Sequence, residues 1–465
     1  MLLHNTSLMQ SPERSSNKAF DFIVFVAVFL MSAVGAQIGP LALNFLGSLI
    51  LLAALFIRQL GSIRYISFPI LNPYFGLCAA LLFSSLCALF QLDSISANLQ
   101  SDFISSNLTL LIQIVFVYLP TFALARRETC FLSTFSRALI MVCRIQMIWG
   151  LSQYLLWEFI GFDLNQVVLV DTLGGLGQET WTALINLGGL GGVQVRMTGI
   201  NHDGAFLGLL LIMGLVVDKN PTFRILYSIS MLLSMQRTTL VVFAVLFVVY
   251  GLKRVVHGSR RKIGVFTVIG VVALVASAIY AFISIPELGG RLVSLLGRFT
   301  AESASNDVGT SRHVLYLPAA VEQVLTNGIL IFLFGIGIKS SGMLFSAFDS
   351  SIAGILNANM NSRVWAIESD IATVIAGGGL VGAAAYLRMY LYFLDSRDET
   401  VRALSLALFS FGFMYCETQL PLVQIVYIAM ACLTEKVGAR HTVKSNISAA
   451  KNTSINAGDV AIHTA

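Results

Sequence analysis

Long apolar runs punctuate this chain so regularly that they constrain the fold more than any other feature. Runs of about 15–25 residues recur between short polar loops, the pattern of a polytopic helical membrane protein, since about 20 helical residues cross a bilayer. Hydrophobic residues make up 56% of the 465 and charged residues only 11%. Soluble domains carry roughly a quarter charged residues. A transmembrane β-barrel needs alternating strands of about ten residues, and the sequence has no such alternation. The expected class is all-α and integral to a membrane.

At about 20 residues per crossing, about twelve spans are expected, near 20–38, 41–57, 68–91, 107–125, 138–160, 204–217, 224–235, 239–252, 263–285, 371–393, 402–417 and 420–434. Basic residues mark cytoplasmic loops. Here they fall at Arg58 and Arg64, Arg126 and Arg127, Lys219 and Arg224, Lys253 to Lys262, and Arg397 and Arg402. Both termini are basic as well, so an even number of spans with both termini inside is expected. No small-residue cleavage site follows the first run near Phe20, so no cleavable signal is expected. The reading is one transmembrane domain over 1–435 and a disordered cytoplasmic tail over 436–465.

The stretch "SMQRTTL" decides the parity. One helix over 224–252 would put the cluster "KRVVHGSRRK" outside, whereas two short helices meeting at this stretch keep it inside and set Arg237 at the outer surface. The hairpin is expected. Two large external segments follow, a glycine-rich one over 161–203 and a longer one over 286–370. In the second, "SRHVLYLPAAVEQVLTNG" is an expected interfacial amphipathic helix, followed by the glycine turn "FGIG".

The external basic residues are then Arg196, Arg237, Arg291, Arg298, Arg312, Lys339 and Arg363. Arginine binds phosphate or carboxylate through a planar fork and stays charged when partly desolvated. Arg196 and Arg237 stand out, because each lies at the outer end of a short span, where the two could meet at one cavity mouth. The bland alternative is pairing with acids such as Asp203, Glu302 or Asp307, or snorkelling to headgroups. It is the stronger reading for Arg291 and Arg298.

Acid–base candidates outside are His202, Asp203, His313, Glu368 and Asp370, with Glu158, Glu179 and Glu417 behind them. Glu368 precedes a span, where an apolar edge raises a carboxyl pKa and arginines lower it, so it is the expected general base. Ser369 and Asp370 are natural helix N-caps. The six cysteines show neither metal spacing nor a disulfide framework. No zinc, Walker or nucleophile-elbow motif occurs, so no metal or cofactor is expected. The net charge of +5 is accounted for by membrane topology rather than nucleic-acid binding. The run "GGGLVG" at Gly377 to Gly382 is expected to allow close helix packing.

In order and spacing, four stretches resemble the bacterial O-antigen polymerase and O-antigen ligase superfamily: "RMTGINHDGAFLG", "SMQRTTL", "GTSRHVLYLPAAVEQVLTNGILIFLFGIG" and "ESDIATVIAGGGLVG". The resemblance runs from about Arg196 to Gly382. It implies a GT-C-like fold with a large periplasmic loop between spans 9 and 10, in the bacterial inner membrane. It further implies metal-independent inverting glycosyl transfer at the periplasmic face, from undecaprenyl-pyrophosphate-linked oligosaccharide donor to acceptor. Membrane lipids and a chain-length regulator protein would be further partners.

By motif match, Arg196, Arg237 and Arg312 would bind pyrophosphate, and Glu368, His202 and His313 would serve catalysis. Arg363, Arg298, Asp203 and Tyr316 would contact substrate. Glu368 and Ser369 stand where ligases carry histidine–asparagine, which favours a repeat-unit polymerase over a ligase. A flippase or exporter is a further alternative, although it predicts midplane charges and related halves.

Overall fold

The computed structural model describes residues 18–39, 41–60, 70–91, 97–178, 180–186, 193–234, 236–257, 308–343, 367 and 369–438. These are mostly helical, with little sheet. In chain order they form α1 (Lys18–Ser32), a minimal pair β1 (Gln37–Ile38) and β2 (Leu41–Ala42), α2 (Leu43–Gln59) and α3 (Pro73–Leu89). Next come α4 (Ala97–Gln113), a π turn (Ile114–Tyr118) leading into α5 (Leu119–Arg127), and α6 (Phe131–Ile160). A hairpin of β3 (Ala183–Asn186) and β4 (Val193–Arg196) precedes α7 (Gly204–Val217), α8 (Pro221–Leu233) and α9 (Arg237–His257). After them come α10 (Val308–Thr326), α11 (Ile329–Phe334), α12 (Asp370–Leu394), α13 (Glu399–Gly412) and α14 (Pro421–Gly438).

Each apolar run read from the sequence has a helix within it, apart from 263–285, which lies outside the described residues. Among the described residues, four helical stretches are long and apolar enough to cross a membrane: Gln100–Arg127, Phe131–Ile160, Asp370–Leu394 and Pro421–Gly438. Local sequence explains several boundaries. Asn72 and Asn220 each accept a hydrogen bond two residues on and precede a proline, a pairing that starts a helix cleanly. Gly161 ends α6 in a left-handed conformation with φ of 64°. The 436–438 part of the expected tail continues α14, while 439–465 lie outside the described residues.

Charge pairing gathers at one end of the bundle. Arg58 pairs with Glu128 at 3.2 Å, Arg126 with Glu435 at 2.6 Å and Arg137 with Asp21 at 3.2 Å. Arg144 grips Asp218, at the close of α7, with two nitrogens at 2.8 and 3.0 Å. Asn72 also donates to Glu435. The described chain around Arg58, Arg126 and Asp218 thus shares one end. The start of α7 and the segment before it lie at the other.

α12 is not one straight helix. At Gly379 its backbone takes φ 57° and ψ −157°, a conformation open to glycine alone among common residues. The "FGIG" turn fills the break: the Ile336 and Gly337 amides donate to the Ala376 and Gly377 carbonyls at 3.1 and 2.8 Å. The Ser84 hydroxyl of α3 reaches the Phe334 and Gly377 carbonyls. A broken helix survives in an apolar setting only when protein groups satisfy its freed backbone. The glycine run expected to serve packing does so here against backbone.

A methyl on Gly377 would fall 2.5 Å from the Ile338 Cα, whereas on Gly382 its closest contact would be 3.5 Å from the Val374 carbonyl oxygen. Gly377→Ala is therefore expected to destabilise the protein by about 1–3 kcal/mol, read as a lower melting temperature in detergent. Gly382→Ala should melt no lower than wild type; equal losses in both variants would contradict the interlock.

Candidate functional site

The end opposite the ion pairs is built around the segment from Arg196 to Asp203. Side-chain amides from α6 and the loop after it hold this segment. Gln146 accepts from the Ile200 amide at 2.8 Å and from Asn201 at 3.3 Å. Gln153 accepts from the Thr198 amide at 3.0 Å. Asn165 donates to the Thr198 hydroxyl and the Gly199 carbonyl. Asn201 in turn accepts from the Val34 amide, tying the segment to the end of α1. Gln146, Gln153, Asn165 and Asn201 are all buried. Burying four primary amides is costly unless each is bonded, so this segment is held in one shape.

Arg196 ends β4, paired with Ala183, and is half-buried. His202 is exposed, with its amide on the Val34 carbonyl and its ring edge-on to Trp181 at 6.3 Å. Asp203 caps α7 by accepting from the Ala205 amide at 3.0 Å, and its second oxygen accepts from the Tyr415 hydroxyl at 3.2 Å.

The expected break at "SMQRTTL" is present: α8 ends at Leu233 and α9 begins at Arg237. It also meets the Arg196 segment. A methyl placed on Gly204 would lie 2.5 Å from Gln236 Nε2 and 2.8 Å from the Met197 carbonyl oxygen. The chain neighbours of Arg237 and Arg196 therefore converge on the first residue of α7.

The start of α9 places a basic residue on a helix N-terminus. A helix N-terminus carries a partial positive charge and favours acids. α7 opens on Asp203 and α12 carries Asp370 in its first turn. α9 opens on Arg237 and has no acid in its first turn. Gln236, buried just before it, has a side-chain nitrogen without a hydrogen-bond partner among the described residues. A cationic residue on a positive helix end is the arrangement that an anion stabilises.

The start of α12 closes the site from the other side. Ser369 is the N-cap, its hydroxyl accepting from the Ala372 amide. Asp370, also expected as a cap, turns away and accepts from the Glu417 amide at 2.9 Å and from the Thr418 amide at 2.9 and 3.1 Å. Glu417 is fully buried, near the hydroxyls of Tyr390 and Tyr427 at 3.4 Å, which bond one another at 2.6 Å. Sequence reasoning ranked Glu417 low and passed over Tyr415, Tyr390 and Tyr427. The available signal was a lone acid between two apolar runs.

Tyr316 lies on α10, 2% exposed, in an apolar cluster with Phe103, Ile336, Ile367, Ala372 and Ala376. Its side chain seats α10 against the start of α12. Arg312 and His313 stand about one turn earlier on the same helix. Glu368, Arg291, Arg298, Arg363 and Glu179 lie outside the described residues. No group of three or more metal-binding side chains occurs among the described residues.

Comparison of the chain with protein-family models and with curated proteins finds no match.

Lys339 follows the "FGIG" turn, and burial pushes its ammonium down to about 8 from an ordinary 10.5. The folded state then binds the proton less tightly than the unfolded chain, so this residue's destabilising contribution is largest below about pH 8 and fades towards 10.5. Lys339→Met should melt above wild type at pH 7, with the gap closing as pH rises through that window. A gap independent of pH would contradict a buried, strained ammonium.

Proposed function

We propose that this protein is a membrane-embedded polymerase, joining lipid-pyrophosphate-linked oligosaccharide repeat units into a surface polysaccharide. The observation that carries the reading is the start of α9. Arg237 stands on a positive helix end with no acid in its first turn, beside the chain segment that carries Arg196. Two arginine positions beside a helix N-terminus make a receptor for a diphosphate, which accepts bidentate hydrogen bonds. Charge pairing at the opposite end leaves this end as the one suited to an anionic headgroup.

In this reading the fold is of the GT-C type with about twelve spans, and the arginine end faces the periplasm of the bacterial inner membrane. Both termini are cytoplasmic. Glu368 takes the proton from an acceptor sugar hydroxyl. The hydroxyl oxygen attacks the anomeric carbon of the donor with inversion, and the lipid pyrophosphate leaves with its charge held by Arg196, Arg237 and Arg312. Losing one such charged contact to the transition state costs about 3 kcal/mol, on the order of a hundredfold in rate.

The experiment is a gel ladder of surface polysaccharide from a strain lacking the protein and supplied with variants. Arg196→Ala and Arg237→Ala should each collapse the ladder to single repeat units, and Glu368→Gln should do the same. Full ladders from both arginine variants would overturn the reading. Long polymer stranded on its lipid carrier in the deletion strain would instead mean a ligase, which transfers finished polymer to the lipid A core.

A further inference from the structure

We propose that Asp370 and Tyr415 are positioning residues, fixing the Arg196–Asp203 segment against the start of α12 through the turn that joins α13 to α14; the inference rests on the polymerase reading above. The Asp370 carboxylate is 0% exposed and accepts from the backbone amides of that turn, at Glu417 and Thr418. Its own amide donates to the Tyr415 carbonyl at 3.3 Å, so Asp370 holds the turn at both ends. Ser369 adds a bond from its hydroxyl to the Gly412 carbonyl. Burying a carboxylate costs several kcal/mol in an apolar setting unless donors surround it. Here those donors belong to one turn, so the charge sets the shape of that turn.

The turn passes that shape on. Tyr415 packs edge-on to Phe206 of α7 at 5.3 Å and donates its hydroxyl to Asp203. The far side of the Arg196–Asp203 segment is fixed by the α6 amides. Tyr415 therefore links a segment anchored on the early helices to a motif carried by the late ones. The Arg196–Asp203 segment and the start of α12 depend on this link for their relative position. A misplacement of about 1 Å between reacting groups can cost a hundredfold in rate.

Hydrogen exchange of the purified full chain in nanodiscs tests this without requiring activity, and gel ladders from the same variants test its consequence. Asp370→Asn should speed amide exchange about tenfold in 413–420 and also in 199–206, which Asp370 does not touch. Tyr415→Phe, which keeps the ring, should speed exchange in 199–206 and leave 413–420 unchanged. Both should shorten the ladder, and the Tyr415→Phe, Asp203→Asn double variant should be no worse than the poorer single. Faster exchange confined to 413–420 in Asp370→Asn, with 199–206 unchanged in both variants, overturns the inference. If exchange spreads as expected while Arg196→Ala and Arg237→Ala both still make full polymer, the positional link stands and the polymerase reading falls.

Discussion

Everything at the candidate site depends on how this chain satisfies backbone polar groups where water is scarce. An unbroken helix does so internally, whereas a broken one must borrow partners. α12 breaks at Gly379, and the partners come from the "FGIG" turn and from Ser84. The exchange works because Gly377 brings no side chain between the two backbones. The break leaves a short first half of α12 whose N-terminus can sit beside the end of α13 and the start of α14, rather than at the tip of a long rod. Asp370 and the turn after Gly412 meet there.

A second asymmetry shapes the molecule. Ion pairs saturate one end of the bundle, where Arg58, Arg126, Arg137 and Arg144 each find a carboxylate. At the other end, Asp203 and Asp370 are committed to backbone donors and a tyrosine hydroxyl. Asp203 caps α7 and takes Tyr415, while Asp370 organises a turn. Arg237 opens α9, whose first turn carries no acid.

Much of this was legible in the sequence. Apolar runs located the helices because burial in lipid demands about 20 apolar residues per crossing. The parity argument over "KRVVHGSRRK" found the break between α8 and α9, since charge sidedness constrains topology more tightly than local propensity does. Arg196 reads as the end of a short span, whereas it ends strand β4 eight residues before α7, and Arg237 opens the 21-residue α9. What stayed hidden depended on contacts distant in sequence. Asp370 reads as a cap because the residue before a helix usually is one. Only the fold shows that Ser369 takes the cap and leaves the aspartate free for amides 47 and 48 residues away. Tyr316, expected to contact substrate, sits 2% exposed in an apolar cluster with Ile336 and Ala372, neighbours that no local pattern could name.

The most direct measurement is the melting temperature of the purified protein with undecaprenyl pyrophosphate and with undecaprenol, which has the same tail and no phosphate. Ligand that binds the folded state raises its stability by mass action. The account predicts a rise with the pyrophosphate lipid that undecaprenol does not produce and that added salt weakens. Equal shifts from the two lipids, or none from the pyrophosphate, would mean that the cationic start of α9 is not a diphosphate site.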